Sequence, residues 1–166
     1  MSRINEKFTE LKRKNEKALI AYIMMGFPNE KATITTVRGL VKGGADIIEL
    51  GFPFSDPLAD GPVIQNASTV SLEKGTNISK FFNLVKKIRK ETDIPLVLMT
   101  YTNILYHRGY EKFISEAKSA GIDGFILPDM SIEESKEYTK SAENKADTIF
   151  LISPNTSKTR IEKIAK

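Results

Sequence analysis

Short apolar runs recur along this chain, each followed by an amphipathic segment, and none of the runs alternates apolar with polar residues. Ala18 to Met24, Ile47 to Leu50, Leu96 to Met99, Gly124 to Leu127 and Ile149 to Ile152 read as five strands. Strands that are apolar on both faces belong to a parallel sheet covered on both sides. The intervening segments carry helical spacing. Ile4, Phe8 and Leu11 predict a short N-terminal helix. Asn29 caps a second helix with the stripe Ile34, Val37, Leu40 and Val41. Ile78, Phe81, Phe82, Val85 and Ile88 mark a third, and Tyr110, Phe113, Ile114, Ala117 and Ala120 a fourth. A charged helix is expected from about Ser131 to Asn144, and a last one over Ser157 to Lys166.

An aspartate stands at each of four strand entrances: Asp46, Asp93, Asp123 and Asp147. That recurrence points to one βα unit used repeatedly. Five units in 166 residues come to about 33 residues each, close to the ~31 of an eight-unit barrel of ~250 residues. Two architectures fit. One is a five-stranded doubly wound sheet of the flavodoxin type; the other is the first five-eighths of a TIM (β/α)8 barrel.

Composition narrows the setting. The chain has no cysteine, so neither a disulfide framework nor a thiolate metal site is expected. Its longest apolar run, Ala18 to Met25, is short of the ~20 residues a membrane crossing takes. The charged N-terminus, with Arg3, Glu6, Lys7 and Glu10, does not resemble a signal peptide. A net charge of +4 is mild. The clusters Lys12, Arg13, Lys14, Lys17 and Lys86, Lys87, Arg89, Lys90 lack interleaved aromatics, so they read as solvated helix faces rather than a nucleic-acid platform. The expectation is a cytoplasmic, single-domain protein.

One stretch stands out for chemistry: Glu49 at the end of an apolar strand, followed by Gly51-Phe52-Pro53-Phe54-Ser55-Asp56-Pro57-Leu58-Ala59-Asp60-Gly61-Pro62. Alternation puts Ile47 and Glu49 on one sheet face. If that face is the core, Glu49 is a desolvated carboxyl with a raised pKa, suited to general acid/base work. Long loops at strand C-terminal ends are where α/β proteins keep active sites. By themselves these residues also fit plainer roles: a Glu at a strand end can face solvent or a lysine, and Asp before Pro or Gly shapes turns.

The stretch Glu49 to Pro62 with Ile64-Gln65-Asn66-Ala67 resembles the signature of the tryptophan synthase alpha subunit family. Tyr22 to Pro28 resembles that family's first strand and turn. Met99-Thr100-Tyr101-Thr102-Asn103 with Gly109, Leu127-Pro128-Asp129 with Glu133-Glu134, and Ile149 to Pro154 follow its order, so the likeness covers essentially the whole chain. It implies a TIM-barrel lyase that cleaves indole-3-glycerol phosphate to indole and glyceraldehyde 3-phosphate, with no metal or organic cofactor in this chain. Glu49 matches the general acid/base, and Asp60 the carboxylate paired with the indole N–H. Tyr22, Met99 and Tyr101 match the indole pocket. The implied partner is a pyridoxal-phosphate-dependent beta subunit in an α2β2 complex, with Pro53, Phe54 and Asp56 on the interface loop and Asn103 and Asp129 in neighbouring loops. His107 is expected at the surface without a catalytic role.

The family's strands six to eight do not occur in these residues, nor do its phosphate-binding loops after strands seven and eight. The expectation is therefore one incomplete barrel domain over 1–166, part of a longer alpha subunit. Two other readings stay open: a non-catalytic remnant that binds or tunes the beta subunit, and an independent flavodoxin-like binding domain.

Overall fold

The computed structural model of the protein describes residues 2–165. Along the chain it forms α1 (Arg3–Lys14), β1 (Ile20–Met24), α2 (Glu30–Lys42), β2 (Ile47–Gly51), α3 (Pro62–Glu73), α4 (Ile78–Arg89), β3 (Leu96–Met99), α5 (Thr102–Arg108), α6 (Tyr110–Ala120), β4 (Gly124–Ile126), α7 (Lys136–Ala142), β5 (Asp147–Ile149) and α8 (Lys158–Ile164). Asparagine caps start α2 and α4: Asn29 accepts from Ala32 N–H and Asn77 from Lys80 N–H. Ser2 and Ser157 do the same for α1 and α8.

The five strands are all parallel and lie side by side in sequence order. A doubly wound sheet reverses its strand order at a switch point; this one never does. Val37 of α2, Phe81 and Val85 of α4, Phe113 of α6 and Tyr138 of α7 bury together with Ile48, Leu50, Leu98 and Phe125 in one core. The helices thus cover one face in succession, which is barrel winding, and the flavodoxin-type alternative falls.

The other face carries Ile20, Tyr22 and Met24, then Ile47, Glu49 and Gly51, then Val97 and Met99, with Ile126 and Ile149 beyond, in matched register. At its lower end Ile4 of α1 packs on Ile47 and Val97, flanked by Ile126 and Ile149. This approach is close: a Cβ on Gly124 would stand 2.9 Å from Ile4 Cδ1. Elsewhere the cover is uneven: Met24 is buried, Tyr22, Glu49 and Met99 are half-buried and Ile20 is 48 % exposed, so the expectation of strands sheathed on both sides holds fully on the helix side and in part on this one.

The recurrent strand-entrance aspartates have a common use. Asp46 accepts from Leu19 N–H at the start of β1 (2.9 Å), and Asp123 from Leu96 N–H at the start of β3 (2.9 Å). Each thereby satisfies a donor at the foot of the preceding strand. All four also face α1: Lys7 reaches Asp46, Arg3 reaches Asp93 and Asp123, and Ser2 donates to Asp147. The repeat thus sets its aspartates along the N-terminal helix, which Ile4 anchors on the sheet.

Several boundaries differ from the sequence reading. β1 begins at Ile20, not Ala18, and Leu19 is exposed. β5 ends at Ile149, whereas Leu151 and Ile152 are exposed, because the short strand follows the register of β4. α7 spans seven residues, not the expected fourteen or so, and the residues before it turn instead. Phe8 and Val41 face solvent, and Thr33 joins Val37 as a buried residue of α2, its hydroxyl accepting Gly26 N–H. Lys166, the last residue of the expected final helix, lies outside the described residues. The sequence reading does not include α3 and α5. α3 buries Ala67, Ser68 and Ser71, and α5 only Leu105, so neither carries a large apolar stripe.

Candidate functional site

Parallel pairing sets the site before any side chain is considered. Tyr22 lies opposite Glu49, and Gly51 opposite Met99, all on the inner face near the strands' C-terminal ends. Glu49 is half-buried and makes no hydrogen bond or ion pair among the described residues. Burial raises its carboxyl pKa above the ordinary glutamate value. An unpaired, desolvated carboxyl at the mouth of a sheet keeps its proton to higher pH than an exposed glutamate, which suits a group that has to both give and take one.

Tyr22 reaches over β2. A Cβ on Gly51, two residues beyond the Glu49 that pairs with Tyr22, would overlap the Tyr22 hydroxyl and ring, so position 51 must be glycine for the phenol to lie there. Burial, then the charges of Asp60 and Glu49, push the Tyr22 phenol well above its usual range. The phenol therefore sits within the field of both carboxylates. Gly51→Ala is expected to fold, since the clash is with the movable end of a side chain, but to displace that hydroxyl. In a tyrosine NMR titration, Tyr22 should then fall back toward the ordinary phenol value of 10.0. An unchanged titration would count against this placement.

Asp60 comes from the loop after β2. Backbone turns shape that loop: Leu58 N–H donates to Asp56 C=O (2.9 Å) and Asp60 N–H to Pro57 C=O (3.1 Å). The Tyr101 hydroxyl donates to Asp60 Oδ2 (3.2 Å) and accepts from Ala59 N–H (2.9 Å). Tyr101 is 4 % exposed, and its ring stacks on Phe54 at 5.1 Å. The Tyr101 phenol is raised by burial, partly offset by the Ala59 hydrogen bond.

The expected site residues therefore separate into groups. Tyr22, Glu49 and Met99 share the inner face, and Tyr101 brings Asp60 and Phe54 to its upper end. Pro53 is buried, whereas Asp56, Asn103 and Asp129 are exposed. Asp129 accepts from Thr102 N–H and Oγ1–H (2.9 Å each to Oδ1), tying the start of α5 to the loop after β4. Leu58 is 93 % exposed at the loop's tip. His107 is exposed. Beside β1 lies an apolar cavity of about 610 Å³, lined by Tyr22, Met24, Phe27, Pro28, Val63 and Ile64; it touches the carboxylate site only through Tyr22. Among the described residues no three His, Asp or Glu side chains come together as a metal site requires, and no helix is long and apolar enough to cross a membrane.

Sequence reasoning gives no role to Gly51, Thr102 or Ser68. The one available signal was for Ser68: small polar residues at 68 and 71 share a helical face, as partners for buried backbone do.

Comparison with known proteins places these features in company. A family model described as "Tryptophan synthase alpha chain" matches residues 8–166. The tryptophan synthase alpha chain of Methanosarcina barkeri is 50% identical over 163 residues, 98% of this chain and 61% of that protein. That of Petrotoga mobilis is 47% identical over 167 residues, 100% of this chain and 63% of that protein. The crystal structure of the alpha subunit from Legionella pneumophila superposes with a TM-score of 0.94 at 38% identity, covering 99% of this chain and 63% of that one. A chain of the α2β2 tryptophan synthase complex of Pyrococcus furiosus superposes with a TM-score of 0.84 at 39% identity, covering 89% and 63%. The chain spans about three-fifths of the length of the curated relatives it matches.

Proposed function

Since the chain belongs to the tryptophan synthase alpha chain family, we propose that it carries the proton-transfer site for cleaving indole-3-glycerol phosphate into indole and glyceraldehyde 3-phosphate. In this retro-aldol reaction the indole C3 gains a proton and the adjacent glycerol hydroxyl loses one. The C–C bond then breaks, its electron pair returning to the indole ring as the aldehyde forms. Glu49 is the group that exchanges those protons. Asp60 faces the indole N–H and offsets the positive charge that builds on the ring once C3 is protonated. An interaction that grows with transition-state charge lowers the barrier rather than only tightening binding.

The observation that carries this reading is the contrast between the two carboxyls. Glu49 is unpartnered and its pKa is raised by burial, whereas Asp60 accepts a hydrogen bond from the Tyr101 hydroxyl. Two carboxyl groups in different surroundings take different roles, one shuttling protons and one holding charge. Tyr22 and Met99 supply apolar surface beside them for a flat aromatic ring.

The same reading makes residues 1–166 one domain of five barrel units and the protein cytoplasmic. It gives the chain a beta subunit as partner, whose pyridoxal phosphate does no chemistry here. The exposed segment with Asp56 and Leu58, and the exposed Asn103 and Asp129, form the docking face.

The test is indole release from indole-3-glycerol phosphate, alone and with a beta subunit added. Asp60→Asn is expected to lower kcat on the order of 10²-fold with an unchanged melting curve. An unfolded Asp60→Asn would assign Asp60 to loop shaping alone.

A further inference from the structure

The loop that delivers Asp60 is held from below by a residue that does not approach the carboxylates. Ser68 of α3 is 1 % exposed. Its hydroxyl accepts Phe54 N–H (3.0 Å) and donates to Phe54 C=O (3.0 Å). A single hydroxyl thus satisfies both backbone groups of one loop residue. Serine and threonine inside helices ordinarily turn back to the carbonyl four residues earlier. The neighbouring Thr69 does so, donating to Gln65 C=O (3.1 Å), as do Thr9, Thr35 and Ser119 in other helices. Ser68 leaves its own helix instead. Ser71, one turn on, likewise donates to Met25 C=O (2.6 Å) in the loop after β1. The buried face of α3 is a polar rail for the loops above β1 and β2.

From Phe54 the constraint passes upward. Phe54 stacks on Tyr101 (5.1 Å, 28°), and Tyr101 holds Ala59 N–H and Asp60 Oδ2 with its hydroxyl. Residues 55 to 58, between the two anchors, are largely exposed. The loop is therefore pinned to the rest of the fold at residue 54 and at residues 59–60, while between them residues 56 to 58 bond within the loop itself.

We propose that Ser68 is a positioning residue: through Phe54 and Tyr101 it presets the place of the Asp60 carboxylate before charge develops on the substrate. The inference rests on the lyase reading for its catalytic consequence, and on the structure alone for the loop. Preorganisation of this kind is lost when the supporting shell is removed, even if every contacting group remains.

The test uses the full chain with Ser68→Ala and Ser68→Thr. Ser68→Ala is expected to speed amide hydrogen exchange at Phe54 and Ala59 by roughly tenfold or more, the scale of a lost buried hydrogen bond, while Leu98 in β3 keeps its protection. Ser68→Thr retains the hydroxyl and is expected to restore both amides. In the cleavage assay Ser68→Ala is expected to lower kcat about tenfold with KM within about twofold, because Asp60 acts on charge that appears after binding. Faster exchange at Phe54 alone, with Ala59 and kcat at wild-type levels, would overturn the proposal, as would failure of Ser68→Thr to restore what Ser68→Ala loses. A wild-type chain that shows the exchange pattern but cleaves nothing would sink the lyase reading and leave the loop-setting role standing.

Discussion

Glu49→Gln is expected to reduce indole release by about 10²- to 10⁴-fold, the range a positioned acid/base contributes, while making the protein more stable at neutral pH. Both effects come from one property. Burial raises the Glu49 carboxyl pKa, so the native protein binds that proton more tightly than the unfolded chain does. Native stability therefore falls as pH rises through the window from the unfolded value, near 4.5, to the raised native value. Glutamine carries no charge and escapes that loss. Urea unfolding should show no difference between Glu49→Gln and wild type below the window, at about pH 4, and a more stable variant above it, at about pH 8. A variant that is less stable at both pH values would mean that Glu49 has a structural partner, and would remove the case for a desolvated catalytic acid. Gains of stability on removing a functional charge are the usual mark of a site strained for activity.

Asp123→Ala is expected to destabilise the fold by about 3–5 kcal/mol, because it leaves a buried guanidinium without its counter-charge. Asp123 is 4 % exposed and Arg89 13 %. They meet at 2.9 Å, and the same carboxylate accepts Leu96 N–H and Arg3. Arg89 already carries the cost of burial, which lowers its pKa, with Asp123 the leading force in the other direction. Its remaining bonds run to the carbonyls of Thr92, Ile94 and Gly121, so it ties the end of α4 to the entrances of β3 and β4. The contact with Arg3 adds little, since that side chain is 41 % exposed and screened by water. Asp123→Asn keeps an acceptor for Leu96 N–H and is expected to fall between wild type and alanine. A loss below ~1 kcal/mol for Asp123→Ala would show that Arg89 finds other partners or water.

Much of this was legible in the residues. Runs such as Ile47 to Leu50 and Leu96 to Met99 are apolar throughout, and a parallel strand is the way to bury both faces. The four entrance aspartates signalled a repeated unit, and the structure shows two of them bonding the foot of the preceding strand. Alternation along β2 put Glu49 on one face with Ile47, and the structure shows that face to be the one opposite the helices. What stayed hidden had little hydrophobic signal. α3 buries serine and alanine where periodicity looks for leucine, and α5 is short with a single buried leucine. β5 was read too late in the chain because Phe150 to Ile152 are apolar yet outside the paired register.

The resemblance assigned Tyr101 to an indole pocket; in the fold its hydroxyl is engaged by Ala59 and Asp60. The sequence by itself determined the repeating unit and the parallel sheet, since these rest on local pattern and residue type, and it marked Glu49 and Asp60 as candidates whose proposed roles come from the family resemblance. Only the tertiary structure decided that the strands wind in one direction, that α1 clasps all four entrance aspartates, and that Ser68 and Tyr101 hold the loop of Asp60. Those features depend on groups 14 to 145 residues apart meeting across the fold. Contacts over such separations follow from how whole elements pack, and leave no period in the chain to read.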